Sequence, residues 1–122
     1  MLRRFSFLAA LFAVALMLAA SGLATTRATP KLVGVSGPGF TITVKTSAGK
    51  AVKTLKAGKY TIKVEDKSSI HNFHLVGPGV NKRTSVTGTG TKTWTVTLKP
   101  GTYTYQCDIH AATGMKGSFK VT

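Results

Sequence analysis

The sequence predicts an all-β domain, a Greek-key antiparallel β-sandwich preceded by a hydrophobic signal segment. Short stretches in which apolar and polar residues alternate begin near residue 31, and turn signals containing Gly and Pro separate them. A third observation concerns the N-terminus, where residues 5–20 are almost wholly apolar. No stretch after this run has a long helical period. Two packed sheets are the architecture in which several short strands can each bury one apolar face.

The N-terminus has the three-part layout of a secretory signal peptide. Arg3 and Arg4 precede the apolar run, and the small residues of 21–24 follow it. We predict cleavage after Ala24 or Ala28. An uncleaved membrane anchor is the alternative, although the apolar run is shorter than the ~20 residues that a membrane span prefers.

These boundaries predict three parts and an exported protein. The parts are a signal peptide over 1–24, a short linker over 25–30 and one sandwich domain over 31–122. We expect a periplasmic, cell-surface or secreted protein, or one that is retained by an uncleaved N-terminal segment. The cleavage zone contains no cysteine, which excludes a bacterial lipoprotein anchor.

The chain is strongly basic. It has 17 Lys and Arg residues against 3 Asp and Glu residues and a net charge of +14, which loss of Arg3 and Arg4 lowers to +12. Such a charge favours a partner with an acidic surface, an anionic membrane or an acidic cell wall. We expect no nucleic-acid partner, because the lysines are spread singly along strand-like segments and no basic helix is present.

Four segments are predicted strands, 40–45, 59–65, 92–98 and 102–107, and the segment 69–76 is a candidate fifth. Their apolar positions, with two near the C-terminus, predict the core. The predicted core residues are Phe40, Ile42, Val44, Tyr60, Ile62, Val64, Phe73, Leu75, Trp94, Val96, Leu98, Tyr103, Tyr105, Phe119 and Val121.

The only cysteine lies in the run from Cys107 to Met115, which also contains His110. In an exported protein a lone cysteine is a buried inert thiol, an intermolecular link or a metal ligand. A spacing of C-x2-H-x4-M lets one loop present a thiolate, an imidazole and a thioether to one point. A structural zinc site would have more Cys and His and no Met, so the thioether favours copper. A trigonal copper site needs one further imidazole.

The segment 69–76 contains both remaining histidines, His71 and His74. If it is a strand, His71 shares a face with the apolar Phe73 and Leu75, and His74 points to the opposite face. We therefore predict His71 as the second imidazole ligand. A histidine beside apolar residues is otherwise a satisfied core residue, an interpretation that the downstream Cys, His and Met disfavour.

The combined pattern resembles the cupredoxins, the small blue or type 1 copper proteins, and most closely the plastocyanin group. The resemblance rests on His71-Asn72 and on Tyr103-x-Tyr105-x-Cys107-x2-His110-x4-Met115-x-Gly117. It implies one copper ion bound by His71, Cys107, His110 and, as a long axial contact, Met115. It also implies that Asn72 hydrogen-bonds to the residue after the cysteine, here Asp108. Tyr103 resembles a tyrosine corner, although plain core packing is also consistent with its position.

These features favour an electron-transfer carrier that cycles Cu(I) and Cu(II) between redox partners, and not an enzyme. The chain has only three carboxylates, and only His74 is spare for any further copper centre. The alternative is a protein for copper capture, storage or delivery outside the cytoplasm, and a third possibility is a surface-binding sandwich without metal. The resemblance implies that electrons leave through His110, with Ile109, Ala111 and Ala112 as a docking patch for a redox partner. We expect a monomer.

Overall fold

The structure is a computed structural model that describes residues 21–23 and 26–122. Most of the predicted signal segment therefore lies outside the described residues. The described part of the chain contains no helix with the length and apolar character needed to cross a membrane. Its strands, in chain order, are β1 (Lys31–Ser36), β2 (Ile42–Thr46), β3 (Thr54–Leu55), β4 (Gly58–Asp66), β5 (His74–Gly77), β6 (Val80–Arg83), β7 (Gly90–Leu98), β8 (Gly101–Gln106) and β9 (Lys116–Val121).

The strands form two sheets. The first has the order β2-β1-β4-β7 and the second the order β3-β9-β8-β5-β6. The predicted all-β sandwich is thus confirmed, but its pairing is not purely antiparallel, because β1 pairs with β4 and β3 with β9 in parallel. After β2 the chain crosses to the second sheet, where it forms β3. It then returns to the first sheet at the end where β1 begins. As a result, β4 runs in the same direction as β1.

The core lies between the two sheets and contains most of the predicted residues. Phe40 is a wrong prediction: its side chain is 66 % exposed, because it lies in the turn before β2 begins at Ile42. Leu32 is buried but was not predicted. Leu32, Gly34 and Ser36 are the residues of β1 that face the core. Of these three, only Leu32 has a large apolar side chain. The unpredicted Val52 and Val80 are also buried.

Gly34 shows why β1 lacks the expected apolar periodicity. A Cβ atom at this position would lie 2.6 Å from Cζ of the Phe73 ring. Phe73 is fully buried and lies just before β5 in the opposite sheet. The glycine thus makes room for the aromatic ring that fills the space between the sheets, beneath the segment that carries His71.

Tyr103 makes a tyrosine corner as well as packing in the core. Its side chain is fully buried, and its ring stacks on Phe119 with centroids 5.4 Å apart. The hydroxyl accepts a hydrogen bond from the Lys99 N–H (2.9 Å) and donates toward the carbonyls of Lys99 and Pro78 (3.0 Å each). The hydroxyl therefore joins the turn before β8 to the turn between β5 and β6.

Replacing Tyr103 with phenylalanine is expected to lower the free energy of unfolding by about 2 kcal/mol. The ring stays, but a partly buried N–H and two carbonyls lose their shared partner, and an unsatisfied buried group costs about 1–3 kcal/mol. Urea unfolding of the two proteins measures the difference, with equal m-values as the sign that only stability has changed. An unchanged urea midpoint would mean that the hydroxyl contributes nothing beyond packing.

Candidate metal centre

Two loops meet at one end of the sandwich, which we call the copper end. The loop between β4 and β5 carries His71, and the loop between β8 and β9 carries Cys107, His110 and Met115. Cys107 directly follows β8, and Met115 directly precedes β9. Because these two strands are antiparallel neighbours, their connection returns Met115 to the place where Cys107 left the sheet.

Backbone hydrogen bonds hold the second loop in a tight conformation. The N–H of Cys107 donates to the carbonyl of Met115 (3.0 Å), and the N–H groups of His110 and Met115 donate to the carbonyls of Cys107 and His110 (3.1 Å each). A short 3₁₀ turn over Ala111–Thr113 ends at Gly114, whose φ of 101° is in the left-handed region that favours glycine. These bonds position the three side chains without relying on side-chain contacts.

Three ligand atoms converge at the copper end. The Nδ1 atoms of His71 and His110 are 2.9 Å apart, and Sγ of Cys107 is 3.8 Å and 3.5 Å from them. All three lie within 4.8 Å of one another. His71 and Cys107 are fully buried and Met115 is 2 % exposed, whereas His110 is only partly buried. His71, Cys107 and Met115 thus lie on the buried side of the cluster, and His110 reaches the protein surface.

The structure distinguishes the two histidines of the first loop, but not through the predicted strand. The segment 69–76 is a strand only from His74 onward, and His71, Asn72 and Phe73 are all buried. Alternation therefore does not apply at His71, so that part of the prediction is wrong. The outcome for the histidines agrees with the prediction: His71 belongs to the cluster, and His74 lies outside it, hydrogen-bonded to Asp108.

Asn72 and Asp108 link the two loops in both directions. The Asp108 N–H donates to Oδ1 of Asn72 (2.8 Å), and Nδ2 of Asn72 donates to Oδ2 of Asp108 (2.9 Å). Asn72 is 1 % exposed. The residues that follow the first histidine ligand and the cysteine are therefore bonded to each other, as the sequence pattern implied.

The carboxylate of Asp108 has further partners. His74 Nδ1 is 2.7 Å from Oδ1 of Asp108, and Nε2 of Gln106 donates to the same oxygen at 3.2 Å. Partial burial would raise the pKa of Asp108, but the hydrogen bonds from His74, Asn72 and Gln106 outweigh it, so the pKa is lowered. Asp108 is therefore an anion beside Cys107.

The role of His74 was missed in the sequence, although a signal for it existed. Its Nε2 lies 2.6 Å from Oδ1 of Asn81, so both ring nitrogens are engaged. The Gly77-Pro78-Gly79 turn signal lies between the two residues and predicts that they lie on the two strands of one hairpin, where side chains on the same face can meet diagonally. The structure pairs Val76 with Asn81 in that hairpin.

Phe40 covers the two imidazoles from outside. Its ring centroid lies 5.1 Å from that of His71 and 4.9 Å from that of His110, both edge-to-face. Because Phe40 is 66 % exposed, part of its ring meets solvent while another part contacts the two imidazoles. Phe40 directly follows the turn signal Gly37-Pro38-Gly39. This position in the sequence indicates a turn residue and not a core residue.

The residues of the predicted docking patch lie at the surface of the copper end. Ile109 is 56 % exposed, Ala112 is exposed and Ala111 is partly exposed. Together with His110 and Phe40 they form a small, mainly apolar rim around the cluster. Their role in docking stays a prediction.

A β-sandwich in which two imidazoles, one thiolate and one buried thioether lie at one end defines a mononuclear copper protein of the type 1 class. The chain belongs to the cupredoxin-like domain family, whose model matches residues 8–121. The predicted family is therefore confirmed. The placement in the plastocyanin group stays a prediction.

Solved structures with the same fold include the copper protein rusticyanin and auracyanin. Reduced rusticyanin is 23 % identical over 75 % of this chain and 78 % of that chain, with a TM-score of 0.55. Rusticyanin from Thiobacillus ferrooxidans is 24 % identical over 75 % and 76 %, with a TM-score of 0.52. Auracyanin from the photosynthetic bacterium Roseiflexus castenholzii is 22 % identical over 79 % and 99 %, with a TM-score of 0.52. No curated protein matches the chain.

The donor set fits one type 1 copper ion. A thiolate and a thioether suit Cu(I), and imidazoles suit either oxidation state of copper, whereas magnesium and calcium prefer the oxygen ligands that this cluster lacks. The buried cluster contains no carboxylate. His71, Cys107 and His110 would hold the ion, with Met115 as the weaker fourth ligand. Bound copper would supply a reversible one-electron couple.

Proposed function

We propose that the protein is an exported blue copper protein that carries single electrons between redox partners. The observation that supports this most directly is the attachment of the ligands. Cys107, His110 and Met115 are joined by backbone hydrogen bonds, and the Asn72–Asp108 link ties that loop to the loop of His71. Ligands held in this way move little between oxidation states, which lowers the reorganisation energy of electron transfer.

His110 is the proposed route for the electron. It belongs to the cluster and is only partly buried, while Ile109 beside it is 56 % exposed. A partner that covers this apolar rim would come close to the imidazole edge. The net positive charge of the chain favours association with a partner that has an acidic docking surface.

The remaining parts of the proposal rest on the sequence. The apolar N-terminal segment favours export, by cleavage or with a retained anchor. The small number of carboxylates and spare histidines favours a carrier over an enzyme. We also propose that the carrier works as a monomer, which size-exclusion chromatography of the copper-loaded protein would test.

Titration with Cu(II) is the direct test of the electron-carrier proposal. We expect one equivalent of copper to produce an intense blue thiolate-to-copper band that bleaches with a mild reductant and returns with an oxidant. The protein should keep its copper through several such cycles in the presence of a Cu(I) chelator. The absence of a blue band would contradict the proposal. Loss of copper to the chelator on reduction would instead indicate capture or delivery of copper.

A further inference from the structure

The charged residues of the sandwich are distributed unequally along its length. We call the end opposite the copper end the distal end; β1, β4 and β8 begin there. All three acidic side chains of the chain lie in the half next to the copper end. Each is engaged there: Glu65 by Lys63 (3.1 Å), Asp66 by the hydroxyl of Thr84 (2.7 Å), and Asp108 by the contacts described above. No aspartate or glutamate lies at the distal end.

The distal end carries a cluster of exposed basic residues. They are Arg27, Lys31, Lys50, Lys56, Lys59 and Lys99. None of them forms an ion pair within the described part of the chain. These cations therefore lack acidic side chains to neutralise them, and they produce a positive potential at this end.

Part of the basic cluster surrounds a groove. The groove has a volume of about 550 Å³ and is lined by Arg27, Lys56 and Lys59 together with Ala28, Pro30 and other residues of the segment 54–60. Lys56 and Lys59, together with Arg27 where the N-terminus retains it, and the lack of an acidic side chain make this a suitable site for a phosphate group. The groove is distinct from the copper site, since it lies at the other end of the sandwich.

The path of the chain identifies the surface that the distal end faces. β1 begins at Lys31, so the predicted apolar segment, which ends at residue 20, is connected to the distal end. The ten residues between them can span at most about 36 Å when fully extended. If the apolar segment is held in a membrane, the distal end is the part of the domain nearest to the lipid.

We propose that the distal end binds an anionic lipid bilayer, with phosphate-bearing headgroups in the groove. Each lysine near such a surface strengthens binding about fivefold. The copper end would then point away from the membrane, toward soluble partners. The nine residues of β4 span roughly 30 Å between the two ends, which exceeds the Debye length of about 8 Å at physiological ionic strength. The charges at the copper end would therefore contribute little.

The test compares two triple variants that lose the same charge. The distal variant carries Lys50→Gln, Lys56→Gln and Lys59→Gln, and the control carries Lys67→Gln, Lys92→Gln and Lys116→Gln, three exposed lysines of the copper-end half. Each protein is purified from cells that express the full sequence, and its N-terminus is determined by mass spectrometry. Co-sedimentation is measured with vesicles of equal parts phosphatidylglycerol and phosphatidylcholine, and with vesicles of phosphatidylcholine alone. The latter report any contribution of the apolar segment.

We expect the distal variant to bind the anionic vesicles about 100-fold more weakly than the wild type, and the control variant less than about threefold more weakly. Equal losses in the two variants would overturn the proposal, because only net charge would then matter. Binding of the wild type to immobilised polyphosphate but not to the anionic vesicles would also overturn it, in favour of a soluble polyanion. The measurements are made with and without Cu(II), so that this result does not depend on the copper site.

Discussion

Replacing His71 with alanine is expected to abolish the blue band and to weaken Cu(II) binding by more than about 100-fold. Loss of an outer partner of a metal ligand already costs about 10–100-fold, and His71 supplies a ligand atom itself. Its Nδ1 lies 2.9 Å from that of His110, and its ring is fully buried. No other histidine can move into its place, because His74 points to Asp108 and Asn81.

The matched control for this prediction is His74→Ala, which removes the same side chain three residues further along. His74 contacts Asp108 but not a metal ligand, so the band should persist and copper affinity should fall less than about tenfold. Absorption spectra and competition with a Cu(II) chelator measure both quantities, and circular dichroism checks that each variant is folded. If His74→Ala loses the band and His71→Ala keeps it, the assignment of the ligand is wrong.

The fold class could be predicted because the longer strands follow period two closely. β4 alternates over nine residues with Tyr60, Ile62 and Val64 on the buried face, as the sequence indicated. β1 could not be interpreted in this way, because two of its three inward residues fit particular neighbouring residues and are not apolar side chains. Gly34 is small where the Phe73 ring approaches, and Ser36 is polar because its hydroxyl donates to the carbonyl of Asn72. Both requirements come from residues more than 30 positions away.

The metal ligands were easier to predict than the residues around them. Cys107, His110 and Met115 are close in sequence and share one chemical property, and the choice between two histidines then completed the set. The cover by Phe40 and the bonds of His74 depend on how loops from different strands meet at one end of the sandwich. Apolar character suggested burial for Phe40, but the exposed ring packs against imidazoles instead of the core. A contact between side chains of different loops leaves no pattern in the local sequence from which it could be predicted.

The Asn72 amide connects the two loops that carry the metal ligands, and its removal is expected to destabilise the fold. Asn72→Ala should lower the free energy of unfolding of the copper-free protein by about 2–4 kcal/mol. The substitution deprives the Asp108 N–H and carboxylate of a partner that is 1 % exposed. Copper should also leave the variant 10–100-fold faster, since the two ligand loops are no longer tied together.

Gln106→Ala provides the comparison, because Gln106 donates to the same carboxylate from a less buried position and over 3.2 Å. Gln106 is partly buried, its hydrogen bond is exposed, and surface substitutions change stability by about 0.5 kcal/mol or less. Urea unfolding without copper measures the first effect, and the rate of copper loss to a chelator measures the second. Equal destabilisation by the two substitutions would show that Asp108 needs only a donor, whatever its position. A much larger effect of Asn72→Ala on both quantities would show that the buried link between the loops holds the ligand set in place.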